Sequence, residues 1–462
     1  MRASSVLLSA ALLAACAAGC ANSPAPAPAR APGAAGPPAA TSGAPAPTAP
    51  TVLADATLPR VPLAEFSNGL LPRAVPDDHG IALGGIGSDL YPASAPDEYW
   101  MITDRGPNGQ VKVDGAERRT FPVPGFDPAV LRVRVDGPVL RVLQAIPITA
   151  TDGQAVTGLS NTAGRDESPY DLTGRTLLPL HPGGLDTEGL VRTGNGEFWV
   201  SEEYSPSIVH LSSSGRVLAR YVPGGLALPD AGYPVFPTLP AILSHRQGNR
   251  GFESLALSPD GHTLYAALQS PLALPSDKAG DKAGDKAGGR SRAVRVLALD
   301  TTSGRPSAEY VYPLQDVTGF DPSAGGDESA MKISAMAWYG PDQLLVDERT
   351  DNVAKLYVVR LSGATNVLGG PFDSATHTPA LEQADLAASS VTPLGKTLLL
   401  DLTAQVPNLP EKIEGLAVRD PKTLAVANDN DFGMTEGPGA FGPDGRLRDS
   451  GVPSRLLVLR LP

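Results

Sequence analysis

Short apolar stretches separated by turn residues recur along this chain, and four of them begin with similar phrases. The phrases are DTEGL at residues 186–190, GFESL at 251–255, KISAM at 332–336 and KIEGL at 412–416. A turn rich in Gly, Pro, Asp or Asn follows each phrase, and a second apolar stretch follows the turn, which is the pattern of a hairpin between buried strands. Because no long stretch has helical apolar spacing, the pattern predicts a mostly β chain.

A single hairpin of this kind cannot bury both of its faces. Four-stranded units stacked around an axis do bury them, and repeats of roughly 40 to 50 residues are typical of that arrangement. The sequence therefore predicts an all-β fold, a β-propeller with six blades, or seven as the alternative. The sixth blade would combine residues 391–402 with residues 63–66. Strands from both chain termini would close the ring and remove exposed sheet edges.

Polar side chains end the second stretch of each hairpin, and in a propeller such strand ends meet around the central channel. Oxygen ligands gathered there are those that Ca²⁺ prefers. The candidate metal ligands are Asp104, Glu188, Glu253, Asp347, Glu414 and Asp429. Arg105, Glu203 and Arg349 are candidate catalytic groups beside them, since arginine can hold an anionic group with two hydrogen bonds. A bound cation would polarise an ester and lower the pKa of an attacking water.

A structural role for the same acids is the alternative, because carboxylates at strand starts can pair with Lys332 and Lys412 and hold the blades in register. Other chemistry has less support. The chain has no Gly-x-Ser-x-Gly motif of a serine hydrolase and no histidine pair with zinc-binding spacing. His181 and His245 precede two of the phrases, and either is a candidate general acid or base at the channel mouth.

The net charge of −12, from 37 basic and 49 acidic residues, argues against nucleic acid as a partner. It suits binding of a metal cation or of a basic partner, and a solvated acidic surface is the commoner explanation. We expect a small-molecule ester or phosphoester as the partner, a monomer, and contact with a membrane only through a lipid anchor.

The amino terminus predicts export. An apolar run after Met1 and Arg2 is too short to span a bilayer, so residues 1–20 are interpreted as a lipoprotein-type signal peptide. Cys16 is the predicted lipidation site, with Cys20 as the alternative. The domain would then be anchored to a bacterial cell envelope, outside the cytoplasm. An Ala/Pro-rich tether is predicted at residues 21–50, the propeller domain at 51–462, and a disordered insertion of repeated DKAG at 277–289.

Several motifs resemble those of a known family, the phytase-like proteins described as having esterase-like activity of phytase. They are YWMITDRGPN at residues 99–108, DTEGL at 186–190, WVSEEYSPSI at 199–208, GFESLALSPDG at 251–261 and KIEGL at 412–416. The resemblance covers about residues 83–462. It implies a secreted or envelope-attached β-propeller with hydrolase-like activity toward phosphate or carboxylic esters. Ser334 departs from the pattern, because KIEGL has Glu414 at the same position, and a metal ring lacking that carboxylate would bind its ion less tightly.

Two classes of function remain from the sequence. The first is a metal-assisted hydrolase of phosphate or carboxylic esters with an acidic central channel. The second is a non-catalytic propeller lipoprotein that binds a ligand or a protein on its loop face. Acids without paired bases would favour the enzyme, and acids each matched by Arg, Lys or a backbone amide would favour the binding protein.

Overall fold

The computed structural model describes residues 49–274, 291–435, 437 and 439–462. The predicted signal peptide with Cys16 and Cys20, the insertion at 277–289 and nearly all of the tether lie outside the described residues. No helix within the described ranges combines the length and the apolar character needed to cross a membrane.

Strands are the main regular secondary structure of the described chain. In chain order they are β1 (Thr51–Thr57), β2 (Asp89–Pro92), β3 (Glu98–Ile102), β4 (Gly109–Val113), β5 (Ala116–Thr120), β6 (Ala129–Asp136), β7 (Val139–Pro147), β8 (Pro169–Tyr170), β9 (Thr187–Arg192), β10 (Phe198–Glu202), β11 (Ser207–Leu211), β12 (Val217–Pro223), β13 (Val235–Leu239), β14 (Phe252–Leu257), β15 (Thr263–Leu268), β16 (Ala293–Asp300), β17 (Arg305–Pro313), β18 (Lys332–Gly340), β19 (Gln343–Arg349), β20 (Ala354–Arg360), β21 (Gly395–Asp401), β22 (Ile413–Asp420), β23 (Thr423–Asn428) and β24 (Arg455–Arg460).

Helical segments are short. The α-helices are α1 (Leu63–Leu70), α2 (Val317–Phe320) and α3 (Leu402–Gln405), and single 3-10 segments occur at Ala241–His245, Pro322–Ala324, Glu328–Ala330, Pro371–Asp373, Leu381–Gln383 and Asp431–Gly433.

The strands form a β-propeller, as predicted. Within the described residues five units surround an axis: β2-β3-β6-β7, β9 to β12, β14 to β17, β18 to β21, and β22-β23-β24-β1. Each has four strands, and β13 adds a fifth, parallel strand to the outer edge of the second. The innermost strands contact one another in the closed order β2, β9, β14, β18, β22 and back to β2. Four of these innermost strands carry the repeated phrases, so each phrase marks the start of a blade at the axis.

The predicted count of six blades is wrong for the described chain, because the residues assigned to the sixth blade belong elsewhere. Residues 395–401 form β21, which completes the fourth blade by pairing with β20. Residues 63–66 lie in α1, where Leu63, Phe66 and Ser67 are buried on one face. That three-and-four spacing fits a helix rather than the alternation of a strand.

The predicted closure by both chain termini is confirmed. The fifth blade ends with β24, and β1 pairs with it in antiparallel register from Thr51 opposite Arg460 to Thr57 opposite Arg455. At Thr57, β1 also makes one parallel bridge to Val139 in the first blade. The amino-terminal strand thereby covers the edge that β24 would otherwise expose.

Apolar side chains between blades form the core. Ile102 of the first blade packs with Leu190 and Val200 of the second. Leu345 of the fourth blade packs with Leu416 of the fifth. Since each blade buries both faces against its neighbours, the inner ends of the strands are fixed in position, and side chains at those ends form a preorganised site.

Two segments of the chain extend away from the five blades. Strands β4, β5 and β8 form a small separate sheet after β3. Residues 361–394 run from β20 to β21 and reach the third blade, where Glu382 receives hydrogen bonds of 2.7 Å and 3.3 Å from Arg295. Arg295 also donates a 2.6 Å bond to Glu309, and all three side chains are buried. A buried ion network therefore ties the long connection of the fourth blade to the third.

Candidate functional site

A polar cavity of about 450 Å³ lies at the end of the axis where the innermost strands begin and the second strands of the blades end. Six of its lining side chains are cationic and nine are acidic. The acids are Asp104, Asp186, Glu188, Glu203, Glu253, Asp351, Glu414, Asp429 and Asp431, and the cations are Arg105, Arg119, Arg250, Lys332, Arg349 and Lys412. We call this space the axial cavity. Its lining has more acids than bases, so part of the negative charge lacks a protein counter-charge.

Three acids of the second blade converge in the axial cavity. Asp186 directly precedes β9, Glu188 lies in β9, and Glu203 follows β10; pairing of Glu202 with Thr187 brings the two strand ends together. One carboxylate oxygen from each of Asp186, Glu188 and Glu203 lies within 4.8 Å of the other two. We call these three residues the acid triad.

The third blade approaches the acid triad closely at Gly251. A Cβ atom at this position would lie 2.3 Å from the carbonyl oxygen of Glu203, so only glycine fits. The Gly251 N–H also donates to the Glu203 carboxylate at 3.2 Å. The glycine of the GFESL phrase thus permits a close approach that places Glu253 of the third blade beside the triad.

Burial and like charge disfavour ionisation of these acids. Burial raises the pKa of Glu188 well above its ordinary value, and the charges of Glu253 and Asp186 raise it further. Burial and Glu203 likewise raise the pKa of Glu253. The pKa of Glu203 rises to about 7, chiefly through burial and then through Asp186. Such crowding is the electrostatic environment that a cation would relieve.

A second acidic pair joins the first and fifth blades. Burial raises the pKa of Asp429 to about 8, although Lys412 opposes the shift. Burial and then the charge of Asp429 raise the pKa of Asp104 well above its ordinary value. One oxygen of Asp104 accepts a 2.7 Å hydrogen bond from the N–H of Gly106. Burial and mutual repulsion therefore disfavour ionisation of both carboxyl groups.

Arg105 supports the acid triad from the first blade. Its guanidinium lies 3.2 Å from Asp186 and 3.5 Å from Glu167, and it stands over the ring of Tyr204 at 5.7 Å. Its backbone N–H donates to Asp186 at 3.3 Å. Arg119 holds Glu167 from the other side with two bonds of 2.9 Å and 3.1 Å. The arginine predicted as catalytic is thus a fixed, buried counter-charge.

The fourth and fifth blades contribute the cationic part of the axial cavity. Arg349 donates to Ser334 at 2.6 Å, to Asp351 at 3.3 Å and to Glu414. Lys412 donates to Asp431 at 2.6 Å and 2.7 Å. Ser334, which departs from the repeated phrase, therefore accepts a hydrogen bond from Arg349. This arginine is what the fourth blade contributes to the cavity wall.

Arg250 of the third blade differs from these cations. One of its terminal nitrogens donates to Ser270 and to the carbonyl oxygen of Ser329, both at 2.8 Å. Its other nitrogens have no hydrogen-bond partner within the described chain, and the residue lines the axial cavity. It is therefore a cation with free donors.

The structure brings together eight of the nine candidate metal ligands and catalytic groups predicted from the sequence. Asp104, Arg105, Glu188, Glu203, Glu253, Arg349, Glu414 and Asp429 line the axial cavity. Asp347 does not line it, because it lies two residues deeper in β19 than Arg349, roughly 7 Å along the strand. It is fully buried, neither carboxylate oxygen has a hydrogen-bond partner among the described residues, and burial raises its pKa. His181 and His245 do not line the cavity either.

Sequence reasoning overlooked Asp186, Arg250 and Arg119. Asp186 is the first residue of the DTEGL phrase, at the position that lysine occupies in KISAM and KIEGL, so the repeat alignment carried a signal for it. Arg250 directly precedes the GFESL phrase. Arg119 comes from the β5 strand of the small sheet, and no local pattern connects it to the axis.

The fold and the site together define the class of protein. It is a β-propeller with a preorganised acidic cavity on its axis, and cationic side chains also line that cavity. The chain belongs to the phytase-like family described by the words "Esterase-like activity of phytase", whose model matches residues 81–432.

A curated relative is an "uncharacterized secreted protein" of Arthroderma benhamiae, 28% identical over 305 residues, which are 55% of this chain and 56% of that protein. The chain thus matches little more than half the length of this relative.

Solved structures also show similarity, at low levels. The calcium-binding protein regucalcin of Agrobacterium tumefaciens is 11% identical over 82% of this chain and 92% of its own, with a TM-score of 0.32. The PQQ-bound aldose sugar dehydrogenase of Streptomyces coelicolor is 12% identical over 84% and 96%, with a TM-score of 0.32. Similarity of this degree carries no inference about the function of this chain.

Proposed function

We propose that this protein is a hydrolase that uses a divalent cation, Ca²⁺ in the first instance, to cleave phosphate or carboxylic esters in the axial cavity. The observation that carries the proposal is the acid triad, in which Asp186, Glu188 and Glu203 place three carboxylate oxygens within 4.8 Å of one another. Family membership supports ester hydrolysis as the reaction class.

The residues present fit a divalent cation. Glu188 accepts no hydrogen bond from any described residue, and one oxygen of Asp186 is buried without a hydrogen-bond partner among them. Glu253 stands next to the triad as a fourth source of oxygen. Hard anionic oxygens are the ligands that Ca²⁺ prefers, with further positions left to water or substrate. When bound, the cation supplies Lewis-acid polarisation of the ester and a lowered pKa of a bound water.

Side chains of the axial cavity are assigned the remaining roles in the proposed reaction. Glu203, predicted as a catalytic group, is assigned to cation binding because it shares the triad. Arg250 offers free donors to an anionic oxygen of the substrate. Asp429, with a pKa of about 8, holds a proton at neutral pH and is the proposed donor to the leaving group. Arg105 is ion-paired with Asp186, and Arg349 donates to Ser334, Asp351 and Glu414, so both contribute fixed positive charge.

Calorimetry on the full-length protein tests the proposal. Ca²⁺, Mg²⁺, Mn²⁺ and Zn²⁺ are titrated into wild type, Glu188→Gln and Glu65→Gln, the last being an exposed glutamate of α1 that serves as the matched control. The same proteins are assayed with nitrophenyl phosphate and nitrophenyl acetate, with and without chelator. We expect Glu188→Gln to weaken cation binding by about tenfold or more and to abolish hydrolysis, as chelator does in the wild type.

Hydrolysis that is insensitive to chelator and to Glu188→Gln would overturn the proposal. The second candidate is a non-catalytic binding protein, and a specific observation favours it: Glu414 and Asp186 are matched by Arg349 and Arg105. Cation binding without turnover of either ester class would support that reading.

We further propose that the protein is exported and lipid-anchored to a cell envelope through Cys16. The secreted relative supports export, and the apolar run before Cys16 supports a lipoprotein signal. Fractionation of cells expressing Cys16→Ala and, as the comparison, Cys20→Ala tests this. Release from the membrane fraction is expected for Cys16→Ala alone, and release by Cys20→Ala alone would assign the anchor to Cys20.

A further inference from the structure

A second, smaller cavity of about 240 Å³ lies next to the axial cavity, at the turn that follows Glu203. We call it the outer pocket. Its polar lining consists of Arg165, Ser205, Ser244, His245 and Arg246. The rest of its lining is glycine, tyrosine and apolar residues, with no carboxylate. In a protein of net charge −12, a cavity lined by Arg165 and by no acid favours anions.

The two arginines play different parts. Arg246 is nearly buried and fixed, donating 2.5 Å to Asp166 and 2.7 Å to the carbonyl oxygen of Tyr204. Arg165 is exposed and has no hydrogen-bond or ion-pair partner among the described residues. Its charge reaches His245, where burial and then Arg165 lower the pKa. Arg165 is thus a free cation at the entrance of a pocket whose back wall is fixed.

Ser205 provides an independent observation. Its side chain is 2% exposed, and its hydroxyl has no hydrogen-bond partner among the described residues. Native proteins rarely leave a buried hydroxyl without a hydrogen-bond partner, because the loss of its bonds to water is then uncompensated. A ligand oxygen in the outer pocket would accept its hydrogen bond.

We propose that the outer pocket binds a small oxyanion, a phosphate or the carboxylate of a small molecule. Arg165 would form an ion pair with the anion, and the hydroxyl of Ser205 would donate a hydrogen bond to it. The apolar wall would contact the rest of the ligand. The site is separate from the acid triad and needs no divalent cation, so it stands or fails independently of the proposed hydrolysis.

The test is calorimetry of inorganic phosphate, and of acetate in a separate arm, on the full-length protein in the presence of chelator. The variants are Arg165→Gln and Ser205→Ala, both small changes at the pocket. Arg175→Gln, a substitution of another exposed arginine, controls for general charge. Arg250→Gln controls for binding in the axial cavity.

We expect one phosphate per chain, with affinity reduced about tenfold by Arg165→Gln and by Ser205→Ala, because each removes a hydrogen bond to a charged group. Arg175→Gln should leave it unchanged. Tighter binding of phosphate than of acetate assigns the pocket to phosphate, and the reverse order assigns it to carboxylates. Absence of binding of both anions, or binding that only Arg250→Gln weakens, overturns the proposal.

Discussion

Two adjacent glutamates at the end of β10 should respond to the same substitution in opposite ways. Glu202 is fully buried, and its carboxylate accepts bonds of 2.7 Å from both Arg220 and Ser207. It also accepts from the backbone N–H groups of Tyr204 at 2.9 Å and Asp186 at 3.3 Å. Burial raises the pKa of Glu202 despite Arg220, yet all four bonds come from donors, which is the pattern an ionised carboxylate accepts.

Glu202→Gln would leave the Arg220 cation fully buried without its counter-charge. Removing one partner of a buried ion pair costs about 3–5 kcal/mol, a large part of a typical stability of about 5–15 kcal/mol. The backbone that carries Asp186 on one side and Glu203 on the other would lose an anchor as well. We therefore expect a large loss of stability and weaker cation binding.

Glu203→Gln should not destabilise the protein without metal. The pKa of Glu203 is about 7 in the fold against an ordinary 4.5, which corresponds to about 3 kcal/mol. Because the folded pKa is the higher one, the carboxylate destabilises the fold increasingly from pH 4.5 to about 7 and fully above that. At pH 8 Glu203→Gln should be as stable as wild type or up to about 3 kcal/mol more stable, and at pH 4.5 the difference should vanish.

Urea unfolding in chelator, followed by tryptophan fluorescence at pH 8, measures both variants, and Trp199 of the same strand is a buried reporter. Calorimetry with Ca²⁺ completes the comparison, since Glu203→Gln should lose binding while keeping stability. The reasoning is refuted if Glu202→Gln lies within about 1 kcal/mol of wild type, or if the two variants are destabilised equally.

Three further outcomes are expected. Cation affinity should fall about tenfold per displaced proton and pH unit below pH 7, because protons compete for Glu203 and Glu188; calorimetry at pH 6 and pH 8 checks this, and a flat profile would contradict it. Glu382→Gln should make residues 361–394 cleavable by protease at least tenfold faster than in wild type, since it leaves Arg295 without its inter-blade partner; gel analysis of timed digests decides. Replacing residues 277–289 with a short Gly-Ser linker should change neither the thermal midpoint nor kcat/KM, because loop length has a weak effect on stability.

The propeller was predictable because four blades begin with the same phrase, but the number of blades was not. The first blade starts with β2, and the residues Ser88-Asp89-Leu90 at the start of this strand lack the phrase. In addition, β21 is separated from β20 by 34 residues. Sheet membership of such a distant strand depends on which edge is open in the folded chain. The missing sixth blade is explained by β21, which pairs with the open edge of the fourth.

The sequence predicted that polar residues at strand ends would gather at the site. It did not predict which of these residues has which role. Glu202 and Glu203 are adjacent, and the sequence does not distinguish the residue held by Arg220 from the residue that faces the cavity. Asp89 is a second example. Its carboxylate accepts hydrogen bonds from the backbone N–H groups of Leu190 in the second blade at 2.8 Å and of Leu416 in the fifth at 3.4 Å. It has the register-holding role that sequence analysis kept open for every acid.

The charge polarity of the axial cavity follows from two positions of the repeated phrase. Its first and third residues are Asp186 and Glu188 in the second blade, Gly251 and Glu253 in the third, Lys332 and Ser334 in the fourth, and Lys412 and Glu414 in the fifth. Formal charge therefore runs from two negative, through one negative, to one positive and then neutral around the ring. Acidic and basic side chains thereby face one space, an arrangement that under the proposed function would bind a metal ion and an anionic ester together. Ser334 is part of this arrangement, because a glutamate there would pair with Arg349 and remove the positive side.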